Sequence, residues 1–148
     1  MFSYQLLSHP ESFQIDENHI WAIFEYIAQV VAIPQKGILN IAFLSDEEIR
    51  SLNHQYRGID STTDVLSFHY FDDFSNVWDD EVVGEIIMSE SRILSQSREH
   101  SHSEASEFET LAIHGILHIL GYDHEDDDDY KAMWQIEKPI RINFWLGV

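Results

Sequence analysis

Apolar positions change their spacing several times along the chain, and each change marks an element boundary. Residues 2–7 (Phe-Ser-Tyr-Gln-Leu-Leu) begin with apolar and polar residues in alternation, which predicts a short strand. The period then becomes helical. Ile20, Ile23, Phe24, Ile27 and Val31 form one stripe of a helix that Asp16 can cap, with Pro34 and Gly37 as its stop. Residues 38–44 (Ile-Leu-Asn-Ile-Ala-Phe-Leu) are almost continuously apolar, as expected of a strand covered on both faces. Ser45-Asp46-Glu47-Glu48 is a capping box opening a helix with Ile49, Leu52 and Tyr56 on one face. Residues 65–71 and 82–88 read as two further strands, joined by an acidic loop or longer excursion over 72–81. From Ser89 onward the pattern is helical, with a break near 101–103.

The resulting order, β-α-β-α-β-β-α-α-α, predicts an α+β fold, an α/β-type sandwich. It has a small mixed sheet of about four strands and about five helices. A chain of 148 residues fits one domain over 1–148 with a sizeable core.

Composition narrows the class. With 44% hydrophobic and 13% aromatic residues the chain is globular rather than disordered. No apolar run approaches the roughly 18 residues that span a bilayer, and the N-terminus lacks a secretory pattern. The absence of cysteine excludes a disulfide framework and a thiolate metal site. A cytoplasmic protein without membrane contact is the expectation. The net charge of −19 opposes extended, non-specific nucleic-acid binding. It leaves a local cationic site possible, because charges are screened over about 8 Å at physiological salt.

The chemistry is concentrated in Leu111-Ala-Ile-His114-Gly-Ile-Leu-His118-Ile-Leu-Gly121-Tyr-Asp-His124. Residues four apart on a helix project side by side, so His114 and His118 can hold one ion without bending it. Gly121 suits a left-handed helix end, after which the chain can return His124 to the same ion. Either histidine alone would read as a core residue bonded to a carbonyl. Three at this spacing point to one catalytic metal ion, zinc or another divalent transition metal that imidazole suits, with a fourth position open to water. The spacing matches the zinc-protease pattern His-Glu-x-x-His-x-x-Gly-x-x-His, but Gly115 stands where such enzymes keep their glutamate base. That disfavours peptide hydrolysis, and the glycine is expected to leave room for a bulky substrate.

The segment from His114 to His124 resembles the signature of the YbeY family of bacterial rRNA-maturation endoribonucleases. Two further segments resemble family motifs: Leu52-Asn-His-Gln-Tyr-Arg57-Gly58 followed by Thr63-Asp-Val-Leu-Ser-Phe68, and Val83-Gly-Glu85-Ile86. The resemblance runs from about residue 38 to 137. Thr62, His69 and Glu85 depart from it, standing where the family has proline, often proline, and aspartate.

The resemblance implies a metal-dependent hydrolase that cuts single-stranded RNA, acting in 16S rRNA 3′-end maturation and ribosome quality control. The implied partners are rRNA and the small ribosomal subunit or its associated proteins. It further implies that Arg57 belongs to the active site with His114 and His118, the metal being held by His114, His118 and His124. A guanidinium fork suits the charge that develops on phosphate oxygens. Attack by water and by the ribose 2′-OH both remain open, as no residue stands out as general base. Asp123 could orient a histidine or cap its turn, and Asp64 could brace the loop beside Arg57. His54, His69, His100 and His102 read as surface or packing residues, and 125–129, five consecutive carboxylates, as a solvated turn. Two other readings compete: a zinc peptidase or amidase with an unusual base, and a non-catalytic ribosome-assembly factor braced by its metal.

Overall fold

The structure, a computed structural model, describes residues 1–123 and 125–147. Its described elements follow the expected order: β1 (Ser3–Leu6), α1 (Glu17–Val30), β2 (Ile38–Leu44), α2 (Asp46–Arg57), β3 (Val65–His69), β4 (Val82–Ser89), α3 (Glu90–Glu99), α4 (Glu104–Ile119) and α5 (Asp127–Asn143). The strands form one four-stranded sheet in the order β1-β2-β4-β3. β2 runs parallel to both β1 and β4, and β3 is antiparallel to β4. The sheet is mixed, as the element order requires.

Local sequence signals set the helix starts. Asp16 accepts the His19 N–H, and Ser45 and Glu48 complete the reciprocal capping box of α2. Ile20, Ile23, Phe24 and Ile27 bury one stripe of α1, as their spacing predicts. On α2, Ile49 is buried and Leu52 half-buried, but Tyr56 is exposed, its ring edge-on to Phe68 at 5.5 Å. The acidic run at 125–129 is more ordered than a solvated turn. Asp127, Asp128 and Asp129 form the first turn of α5, where carboxylates complement the helix dipole, and Asp126 accepts the Asp129 N–H at 2.8 Å.

Strand alternation divides the core between the two sheet faces. Ile86 and Met88 of β4 join the larger cluster with Ile113, Ile116 and Leu117 of α4, Met133 of α5 and the α1 stripe. Ile87 points the other way, to Ile49 of α2 and Leu66 of β3. The acidic β3–β4 connection is also anchored: Phe74 and Val77 are buried, and Phe74 meets Phe2 edge-on at 5.1 Å.

Gly115 fixes how closely α4 lies on this sheet. A Cβ there would stand 3.1 Å from Ser67 Oγ and 3.2 Å from Ile86 Cγ2. The expectation that this glycine leaves space for a substrate is therefore not met. Its missing side chain is filled by the sheet, and the helix is drawn against β3 and β4.

Candidate functional site

That close packing brings the C-terminal half of α4 beside β3. Together with the end of α2 and the loop after it, they enclose a cleft of about 480 Å³ lined by Arg57, Asp64, Ser67, His69, His114 and His118, with Gly121, Tyr122 and Asp123 at its other side. Arg57 is the last residue of α2, and Gly58 ends the helix in the left-handed region with φ 70°. The loop that follows is tied at both ends. Asn53 Nδ2 donates to Ser61 O at 2.9 Å, and the Ser89 N–H donates to Asp64 O at 3.0 Å. Thr63 Oγ1 also donates to the adjacent Asp64 carboxylate at 3.3 Å, a contact within the loop itself.

His114 and His118 project together into the cleft, as helical spacing requires. Their Nε2 atoms are 3.0 Å apart and their rings meet edge-on with centroids 4.5 Å apart. Two imidazole nitrogens on one tetrahedral zinc, each bonded at about 2.05 Å, would stand about 3.3 Å apart. The pair is thus close to a ligating geometry. On its other side, His114 Nδ1 lies 3.1 Å from Glu137 Oε1 of α5. A carboxylate accepts, so Nδ1 carries a hydrogen, and in the neutral ring this leaves the lone pair on Nε2, the nitrogen facing His118. An outer hydrogen bond of this geometry is the kind that orients a histidine for metal binding. The residues present fit a zinc-class ion.

The turn after α4 also behaves as its sequence suggests. Gly121 has φ 102°, the Tyr122 N–H donates to Leu117 O at 3.0 Å, and the Gly121 N–H donates to His118 O at 3.0 Å. The third expected ligand, His124, lies outside the described residues. Asp123 lines the cleft.

Two contributors are not singled out by the sequence. Glu137 is buried, and its signal is a charged residue in the apolar stripe Met133, Glu137, Ile140. Ser67 faces both the cleft and Gly115. His69, read as a surface residue, proves to be exposed yet lines the cleft. Its Nδ1 donates to Phe71 O at 3.0 Å, so in the neutral ring Nε2 is the nitrogen able to take a proton. Beside the cleft, burial and a hydrogen bond to Glu85 push the Tyr70 phenol up to about 12, so it stays protonated.

A sequence profile of the family described as Endoribonuclease YbeY matches residues 7–144. This chain belongs to the YbeY family. A YbeY relative from Carboxydothermus hydrogenoformans is 39% identical, the match covering 92% of this chain and 93% of the relative. Another, from Clostridium botulinum, is 36% identical over 83% of this chain and 84% of its own. Both carry the name Endoribonuclease YbeY. The solution structure of TM1509 from Thermotoga maritima is similar with a TM-score of 0.63 at 29% identity, covering 96% of this chain and 89% of that one. The motifs around Arg57, Ser67 and His114–His118 line the cleft described above, whereas Glu85 pairs with Phe68 and is not among the residues lining it.

Proposed function

We propose that this chain is a metal-dependent endoribonuclease of single-stranded RNA that acts on the 3′ end of 16S rRNA, in the cytoplasm, as one domain. One observation carries the reading. His114 and His118 present paired Nε2 atoms to a cleft that Arg57 also lines, with the His114 tautomer set by a buried carboxylate. The names carried by its YbeY relatives support the choice of RNA as substrate.

His114 and His118 would hold a zinc ion, with His124 as the third ligand. When bound, such an ion supplies Lewis acidity toward a phosphate oxygen and activation of water near neutral pH. Arg57 grips the phosphate through its guanidinium fork and offsets the charge that builds on its oxygens. Because Arg57 is exposed at a helix end, it reaches substrate without disturbing the core. Glu137 holds the His114 ring in orientation. Asp64 and Asn53 keep the loop beside Arg57 in place. His69 Nε2 offers the cleft a site to take up or return a proton.

A local site of this kind suits a strongly acidic chain, which repels duplexes and long tracts but admits one scissile phosphate. Partners are the small ribosomal subunit or its associated proteins. No helix among the described residues is long and apolar enough to cross a membrane. The peptidase reading is weakened by Gly115, which packs on the sheet and carries no base.

The test is cleavage of a single-stranded RNA before and after chelation, with metal content measured on the same samples. Cleavage should vanish on chelation and return with zinc, and His114→Ala with His118→Ala should abolish both cleavage and binding at this site. If that double variant cuts RNA at the normal rate, the reading is wrong. If chelation collapses the melting temperature while the metal-loaded protein cuts nothing, the bracing-metal reading takes its place.

A further inference from the structure

His100, His102 and Glu107 converge at the junction of α3 and α4, at the other end of α4 from the His114 pair. His100 Nδ1 lies 3.1 Å from Glu107 Oε2, and His102 Nε2 is in close contact with the same oxygen. One ligand atom from each of the three residues lies within 4.8 Å of the other two. We infer that this cluster is a second metal site, binding one divalent transition ion of the zinc, cobalt or nickel type, independently of the His114 centre.

Three observations carry this. The first is the donor set. Two imidazoles and a carboxylate are ligands such ions prefer, and three protein ligands leave one position for water. The second is burial. Glu107 is only 2% exposed, although it sits in the first turn of a helix whose other early carboxylate, Glu104, is more accessible. A buried carboxylate calls for a cationic partner or several donors. His102 lies against it largely buried, while His100, 55% exposed, gives the cluster one ligand that faces solvent.

The third is the backbone that makes the cluster. Ser101, between the two histidines, is held at φ 56°, a conformation costly for any residue with a Cβ. The turn is closed by the His102 N–H on Ser97 O at 3.0 Å and the Ser101 N–H on Arg98 O at 3.3 Å. It swings His102 back beside His100, their rings 5.5 Å apart and 74° from parallel. The Glu107 N–H on Ser103 O at 3.0 Å then seats the third ligand in the first turn of α4. All three ligands thus come from one short stretch of chain, already oriented by local hydrogen bonds.

The site is separate from the one at His114. Glu107 and His114 are seven residues apart on one helix, about 10.5 Å along its axis. The ions of a two-metal centre stand only about 3.5–4 Å apart. The two sites do share a groove, lined by Glu99, His100, Glu107, His114 and Glu137. A cation in the cluster would link the end of α3 to the start of α4, the helix that carries the His114 pair.

Cobalt(II) titration of the metal-stripped full chain, followed by its visible absorption and by elemental analysis, tests this. Wild type should take two ions per chain, and His100→Gln with His102→Gln should take one. His114→Ala with His118→Ala should also keep one, which disappears when the two pairs of substitutions are combined. If His100→Gln/His102→Gln takes as many ions as wild type, or if His114→Ala/His118→Ala takes none while circular dichroism shows it folded, the cluster is only an ion pair. Should the His114 variant misfold, a wild type that takes a single ion, kept when His100 and His102 are substituted, overturns the second site equally. An ion lost only with His100 and His102 would uphold this site while refuting the one at His114.

Discussion

Glu137 of α5 accepts the Nδ1 hydrogen of His114 across 23 positions of sequence at 3.1 Å, tying the last helix to the floor of the cleft. Outer hydrogen bonds of this type typically contribute 10–100-fold to metal affinity. Glu137→Gln keeps the shape and removes the strong acceptor. Zinc affinity at the His114 centre should fall by roughly that factor, read by competition with a chromophoric chelator, while the far-ultraviolet spectrum stays unchanged. An unaltered affinity would show that this carboxylate only fills space.

Arg57 is exposed, so its replacement should separate activity from stability. Arg57→Ala should lower kcat/KM for single-stranded RNA by roughly 10²-fold, the loss usual for one donor aimed at developing charge. Metal content and melting temperature should hold. Arg57→Lys keeps the charge but not the bidentate fork, and should recover only part of the rate. Full activity in the lysine variant would mean that charge alone suffices.

Gly115 is where α4 and the sheet have no slack. Its absent Cβ would lie 3.1–3.3 Å from Ser67 Oγ and two side-chain atoms of Ile86, a buried residue of β4. Gly115→Val should destabilise the fold by about 1–3 kcal/mol through overpacking, measured as a lower urea midpoint. Alanine should cost less, because its gain in helix propensity offsets part of the crowding. A valine variant as stable as wild type would mean that the helix can lift from β3 freely.

Glu109 provides a pH signature away from the cleft. Burial holds its carboxyl above the ordinary value of 4.5, with the hydrogen bond to His19 pulling the other way. A carboxyl raised in the folded state stabilises most below its unfolded pKa, and that stabilisation is lost as pH rises through the folded value. Glu109→Gln has no proton to lose there. Its melting temperature relative to wild type should therefore rise between about pH 4 and pH 7. A relative melting temperature that falls over that range would reverse the assignment.

The sequence reveals most where the signal is local. The Ser45–Glu48 box, the α1 stripe and the left-handed Gly121 each depend on residues within one or two turns, and each stands where the pattern puts it. His114 and His118 are neighbours for the same reason. What local patterns miss is long-range. Glu137 shows in the sequence only as a charge within the apolar stripe of α5, and its partner His114 emerges only when α5 packs on α4. Gly115 reads as open space until β3 and β4 occupy it. His100, His102 and Glu107 fall beside the expected break at 101–103, where the two histidines read as surface or packing residues, and only the folded chain shows Glu107 to be buried against them.

The loop over 58–64 and the packed floor beneath it differ in how much change they can absorb. The loop is exposed over 58–61 and half-buried over 62–64, and with Asp60 tied to Arg50, Ser61 to Asn53 and Asp64 to Ser89, the exposed Ile59 side chain is the position most open to exchange. The floor absorbs less, since a side chain at Gly115 would press on Ser67 of β3 and Ile86 of β4 at once. Diversification of which RNA ends are accepted would accordingly accumulate on the Arg57 side of the opening, with the imidazole side staying fixed.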